Sequence, residues 1–130
     1  MIKRLNKNLT SRWSLKKPLY LKKNDRRYAK HLKQLKTNGF SDAETWGLDS
    51  VIAEFILPRL IRFKELNIGF PGGWEDITFE KWQSMIDEMI FAFDWSLHHE
   101  DDTDEQQTEN WKKYQKGMDI FAKWFRNLWW

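Results

Sequence analysis

From Phe79 onward the large apolar side chains recur at helical spacing, and this constrains the fold more than any other feature of the chain. Phe79, Trp82, Ile86, Met89 and Phe93 step by three and four, and Met85, Ile90 and Trp95 widen the same face. In a helix such residues share one side. Thr78 stands where an N-cap belongs, so a helix is expected from there to about Leu97. Further on, Trp111, Tyr114, Met118, Phe121, Phe125 and Leu128 form an a/d seam. Its helix is expected to begin near Thr108, or a few residues earlier, and to reach about Leu128. Gly117 lies inside it and costs about 1 kcal/mol relative to Ala; a close crossing with another helix would explain it. Residues 98–109 form an acidic, polar link between the two.

The central segment is apolar on more than one side. Leu48, Val51, Ile52, Phe55, Ile56, Leu57, Leu60, Ile61 and Phe63 exceed a narrow stripe, as in a helix covered from several directions. Ser41 and Glu44 have capping-box spacing and are expected to open this segment, which runs to about Asn67. Pro58 lies within it and removes a backbone donor, so a kink or break is expected there. Gly69, Pro71, Gly72 and Gly73 mark a loop. Upstream, Asn24 or Asp25 can cap a short helix to about Lys36, stopped by Asn38-Gly39. Tyr28, Leu32 and Leu35 form its apolar face, and Arg26, Arg27, Lys30, Lys33 and Lys36 the other. No segment alternates as a strand does.

The expected fold is therefore all-α: a small helical bundle of three main helices, with a short basic helix and an extended N-terminal arm. Nine Trp, nine Phe and three Tyr supply its core, each large ring burying roughly 150–250 Å². The chain reads as a single domain, with residues 1–40 as arm and short helix and residues 41–130 as an aromatic-rich body. Trp13, Leu15, Leu19, Tyr20 and Leu21 could dock the arm on the body.

Charge follows the same division. Residues 1–40 hold thirteen of the 22 Lys and Arg and one acid, Asp25, whereas residues 41–130 hold nine basic and eighteen acidic residues. Cations interleaved with Trp13, Tyr20, Tyr28 and Phe40 suit a phosphate-bearing partner, nucleic acid included, because cations neutralise phosphate and rings stack on bases. Equally, the arm can complement the acidic body of its own chain or of a neighbour. There is no Cys, which excludes disulfides and thiolate metal sites. The N-terminal residues lack an apolar run of signal-peptide length, and no stretch is long and apolar enough to span a bilayer. A soluble intracellular protein without membrane partners is expected.

Catalytic chemistry finds little support. Ser41 reads as a helix cap and Thr10, Ser11 and Ser14 as arm polarity. Gly72-Gly73 lacks the Lys and Ser/Thr of a phosphate-binding loop. His98 follows Asp94 by four residues and precedes an acidic run, but these groups sit at a helix end or in a polar link rather than on several rigid elements. No metal, cofactor or catalytic residue is expected. Arg59 and Arg62 are candidates for gripping a carboxylate or phosphate; the alternative is an internal ion pair or a solvated stripe. Phe125, Trp129 and Trp130 either pack into the bundle's own end or form an oligomer contact.

Two stretches resemble a group of small proteins of tailed bacteriophages. One is Gly39-Phe-Ser-Asp-Ala-Glu-Thr-Trp46, continuing through Leu48-Asp49, Ile52-Ala53, Phe55-Ile-Leu-Pro-Arg-Leu60 and Phe63-Lys64. The other is Gly117-Met-Asp-Ile-Phe-Ala-Lys-Trp-Phe-Arg-Asn-Leu-Trp129. The middle helix, with Trp82, Met89 and Phe93, fits as well. That group usually has Asn after the first Trp, where this chain has Gly47. The resemblance implies a phage origin and a life in the cytoplasm of an infected bacterium. In that setting the expectation is a non-enzymatic binding protein, a homo-oligomer that counters host defence by sequestering a nucleotide-type signal. Trp46 would stack, and Arg59, Arg62, Arg12, Lys16, Arg26 and Arg27 would hold phosphate. The alternatives are an inhibitor or adaptor acting on a host or phage protein, and nucleic-acid binding by the arm.

Overall fold

The computed structural model describes residues 24–73 and 76–129. The expectations placed on Arg12, Lys16, the docking residues of the arm and Trp130 lie outside them. Among the described residues there are four α-helices and no strand: α1 (Arg26–Asn38), α2 (Leu48–Leu66), α3 (Phe79–His98) and α4 (Asp104–Trp124). Short 3-10 turns occupy Asp42–Thr45, His99–Asp101 and Phe125–Asn127. The chain divides into two compact units, one through Ile52 and one from Ala53.

In the first unit, Asp25 caps α1 by accepting from the Arg27 backbone N–H at 2.9 Å. Gly39 closes the helix at φ 84°, its N–H reaching Leu35 O at 3.0 Å. This left-handed position is one that glycine takes without a Cβ penalty. The innermost residues of α1 are His31 and Leu35, while Tyr28 and Leu32 are half-buried. The expected face is thus rotated slightly, because the turn after Gly39 folds back and Ser41 Oγ hydrogen-bonds His31 Nδ1. Ser41 and Glu44 do form a capping box. It opens the 3-10 turn rather than the long helix, and α2 starts beyond it at Leu48.

Helix α2 is continuous through Pro58, so the expected break does not occur. Proline costs the helix one donor, but Pro58 is exposed while Ala53 and Leu60 are buried in the second unit's core and Ile56, Leu57 and Phe63 pack against it. Burial of that apolar face offsets the missing bond.

Thr78 caps α3, accepting from the Lys81 N–H at 3.1 Å. The helix buries Trp82, Met85, Ile86, Met89, Ala92 and Phe93, as the three-and-four spacing requires. Helix α4 begins at Asp104, with Thr103 and Gln106 as a reciprocal capping box, so the polar link is shorter than expected. Asp102 ties it down: its Oδ2 accepts from Trp95 Nε1 at 2.7 Å and Asn110 Nδ2 at 2.9 Å. Those two hydrogen bonds, Asn110 foremost, hold its carboxyl below the ordinary carboxylate range.

Gly117 is buried where α4 crosses α3. A Cβ there would fall onto the Glu88 carbonyl oxygen and lie 2.7 Å from Ala92 Cβ. The close crossing also corrects the a/d seam. With Gly117 at the centre of the contact, the residue two turns on is Trp124, and Trp124 is buried while Trp111 and Phe125 are exposed. Trp124 meets Trp82 edge-on at 6.1 Å and Phe121 meets Phe93 edge-on at 5.0 Å, the geometry preferred by ring quadrupoles.

Candidate binding site

The most site-like feature of the first unit is a cavity of about 100 Å³ lined by Arg27, Lys30, His31, Gln34, Asp42 and Trp46. Helix α1 supplies the first four at helical spacing, and the turn opened by Ser41 brings Asp42 and Trp46 over them. Trp46 is 61% exposed. The Arg27 guanidinium carbon lies 4.6 Å from its ring centroid, a cation–π contact.

The cations here are partly engaged. Arg27 forks onto Asp25, with Nε to Oδ1 at 3.0 Å and Nη2 to Oδ2 at 2.8 Å. The side-chain bond and backbone N–H of Arg27 lower the Asp25 carboxyl to about 2. Lys30 Nζ lies 4.0 Å from Asp42 Oδ2. The Gln34 amide is used at both ends by Asp42, donating to its carboxylate and accepting from its backbone N–H, each at 2.9 Å.

His31 lies inside the unit, 2% exposed. Its Nδ1 is taken by Ser41 Oγ, and its buried Nε2 has no protein partner among the described residues. Glu44 Oε2 accepts from the Ser41 backbone N–H at 2.7 Å. A serine, a histidine and a carboxylate thus come together, but Ser41 is 1% exposed, so a substrate carbonyl has no route to its Oγ. The trio clasps the turn to α1.

Burial lowers the His31 pKa from its ordinary 6.5, with the Glu44 carboxylate opposing. The folded value lies below the unfolded one, so the unfolded chain takes up the proton first on acidification. His31's contribution is fully present above about 6.5 and is lost as pH falls below that toward the lowered value. Amide protection factors across α1, taken relative to intrinsic exchange at each pH, are expected to fall between pH 7 and pH 5, with His31 protonating below 6.5 in an NMR titration. Unchanged protection factors together with His31 protonation at 6.5 would contradict this.

The other expected residues fall elsewhere. Arg26 is exposed on α1. Arg59 and Arg62 belong to the second unit and turn onto their own helix. Arg59 lies 3.9 Å over the Phe55 ring and donates to Phe55 O at 2.7 Å, while Arg62 pairs with Glu65 at 2.8 Å. Phe125 is exposed, and Trp129 is 74% exposed beside a cavity of about 150 Å³ lined by Asn67, Ile68, Phe70, Trp82 and Asn127. Among the described residues no cluster of His, Asp and Glu is arranged to hold a metal, and no helix is long and apolar enough to cross a membrane. Sequence reasoning missed His31, Lys30 and Gln34 as cavity walls. The available signal was a histidine four residues before a buried leucine on an otherwise basic helix. Comparison with protein families, with curated proteins and with solved structures finds no match for this chain.

Proposed function

We propose that this is a non-enzymatic phage binding protein that counters host defence by sequestering a nucleotide-type signal in the cytoplasm of the infected bacterium. The observation that supports this best is the cavity of the first unit. An exposed indole and two cations converge there within one turn and one helix, beside the buried His31. An indole face stacks on a base, and Lys30 in the cavity wall can attract phosphate. The residues at the site offer hydrogen bonds and stacking, and the Ser41 hydroxyl that meets His31 is enclosed. Such a site suits capture and release rather than turnover.

We also take α2, α3 and α4 to be the three main helices of a bundle. A shared core that includes Ala53 and Leu60 from α2, Trp82 from α3 and Trp124 from α4 supports this. A second reading, a contact with another copy or a different protein, is favoured by the tail. Phe125 and Trp129 are exposed there, as are Ile68 and Phe70, and neighbouring exposed apolar groups mark interfaces.

Native mass spectrometry of the protein taken from infected cells, before and after denaturation, tests these readings together. The expected result is a small anionic molecule that leaves unmodified on unfolding. Recovery of a cleaved molecule would make the protein an enzyme. A stoichiometric protein partner with no small molecule would replace the leading reading by the second.

A further inference from the structure

We propose that a groove between α3 and α4 in the second unit binds a small zwitterion with an apolar body, of the amino-acid type. The groove is separate from the cavity beside Trp46 and independent of the nucleotide reading. Its volume is about 360 Å³, and it is lined by Ser84, Asp87, Glu88 and Phe91 of α3 and by Lys113 and Lys116 of α4. Small-molecule sites usually fall in the range of roughly 300–1,000 Å³. Helical spacing explains the lining. Asp87 and Glu88 follow Ser84 by three and four residues, and Phe91 follows them by four and three, so all share one side of α3. Lys113 and Lys116 share a side of α4 in the same way. Between the two helices, Gly117 lets the α4 backbone rest close on the Glu88 carbonyl, and the lysine stems cross to α3. Lys116 Nζ reaches Glu88 Oε1 at 2.8 Å, and Lys113 Nζ lies 5.9 Å from the Phe91 ring centroid.

Charge is sorted between the walls. Two carboxylates come from α3 and two ammonium groups from α4, and half-buried Phe91 is the apolar part of the lining. Each charged group keeps bonding capacity. Glu88 meets Lys116 through Oε1, and Asp87 meets Lys64 of α2 through Oδ1 at 2.7 Å; a carboxylate has a second oxygen to offer, and an ammonium group has three donors. Lys113 is 3.7 Å from Glu109, beyond hydrogen-bond distance. Pairs between charges as exposed as these contribute little, so ligand groups can replace them or add to them. The sorting decides the ligand class. A simple anion at the lysines has two carboxylates close by, and a simple cation at the carboxylates has lysine ammonium groups close by. A zwitterion answers both walls and meets neither repulsion. Its apolar body takes the place over Phe91 that Lys113 holds near the ~6 Å limit of a cation–π contact.

Protein-detected NMR titrations of the full chain with four probes test this. L-Phenylalanine carries both charges and a ring, its amide is a cation, N-acetyl-L-phenylalanine is an anion, and glycine is a zwitterion without the apolar body. L-Phenylalanine is expected to bind about fivefold more tightly than each of the others, with shifts centred on Phe91, Lys113 and Lys116. Lys113→Gln should weaken L-phenylalanine by about threefold without weakening the amide. Glu88→Gln should weaken L-phenylalanine similarly without weakening N-acetyl-L-phenylalanine. Both variants are expected to keep the parent urea midpoint, and Asp87→Asn replaces Glu88→Gln if the latter does not fold. The amide or the N-acetyl probe binding as tightly as L-phenylalanine would show that one charged wall takes no part and would overturn the proposal. Glycine matching L-phenylalanine would overturn it by removing the role of Phe91. Unchanged L-phenylalanine affinity in either folded variant, or no saturable shift at the groove, would overturn it too. None of these outcomes bears on nucleotide binding at Trp46.

Discussion

Replacing Trp82 with alanine is expected to destabilise the second unit by about 3–5 kcal/mol, the range for removing a large aromatic from a packed core. Trp82 is 1% exposed and sits in the cluster that includes Met85, Ile86, Met89 and Trp124. Its loss removes the edge-on contact with Trp124 and opens a void that side chains fixed on α3 fill poorly. Domains of this size are stable by only about 5–15 kcal/mol. Urea denaturation followed by far-UV circular dichroism should therefore show a much earlier midpoint, with the near-UV signal of the aromatic core reduced even before unfolding. A midpoint within error of the parent protein would mean that Trp82 does not hold α3 against α4.

Gly117→Ala should be the second most damaging substitution, although alanine is the better helix former. Helix preference alone would return about 1 kcal/mol. Against this, an added methyl falls on the Glu88 carbonyl oxygen and within 2.7 Å of Ala92 Cβ. Overpacking costs about 1–3 kcal/mol and occasionally more. The obstacle is backbone, which cannot rotate away as a lysine tip could, so the upper end of that range applies. The net loss should be about 2 kcal/mol, read as a lower urea midpoint. A stabilised Gly117→Ala would show that the two helices part without cost and that glycine stands there for another reason.

Much of the helical framework is legible in the sequence because it is written in local rules. The three-and-four steps from Phe79 to Phe93, the Thr78 cap and the Asn38-Gly39 stop each need only a few neighbouring residues. Features that depend on residues far apart in sequence are harder to read. Trp124 and Phe125 are indistinguishable by type, and only the close approach at Gly117 decides which one faces inward. Thr103 and Gln106 have the spacing of a capping box, but an acidic stretch hides it, so the start of α4 at Asp104 is legible only to within a few residues. His31 looks like part of a basic face, and its burial arises from Ser41, ten residues on, across a turn. Trp46 and Arg27 each stand out as binding candidates, whereas their stacking joins residues nineteen apart with no periodic link. Arg59 and Arg62 stand out for their chemistry, yet rotamers that fold them back onto α2 leave no mark in the sequence.

The sorting of indoles between dry and wet surroundings has an optical consequence. Trp82 and Trp124 lie edge to face inside the second unit, whereas Trp46, Trp111 and Trp129 stand in water. Among the described residues these five indoles fall into a blue-emitting pair sheltered from iodide and a red-emitting set open to it, with half-buried Trp95 between them.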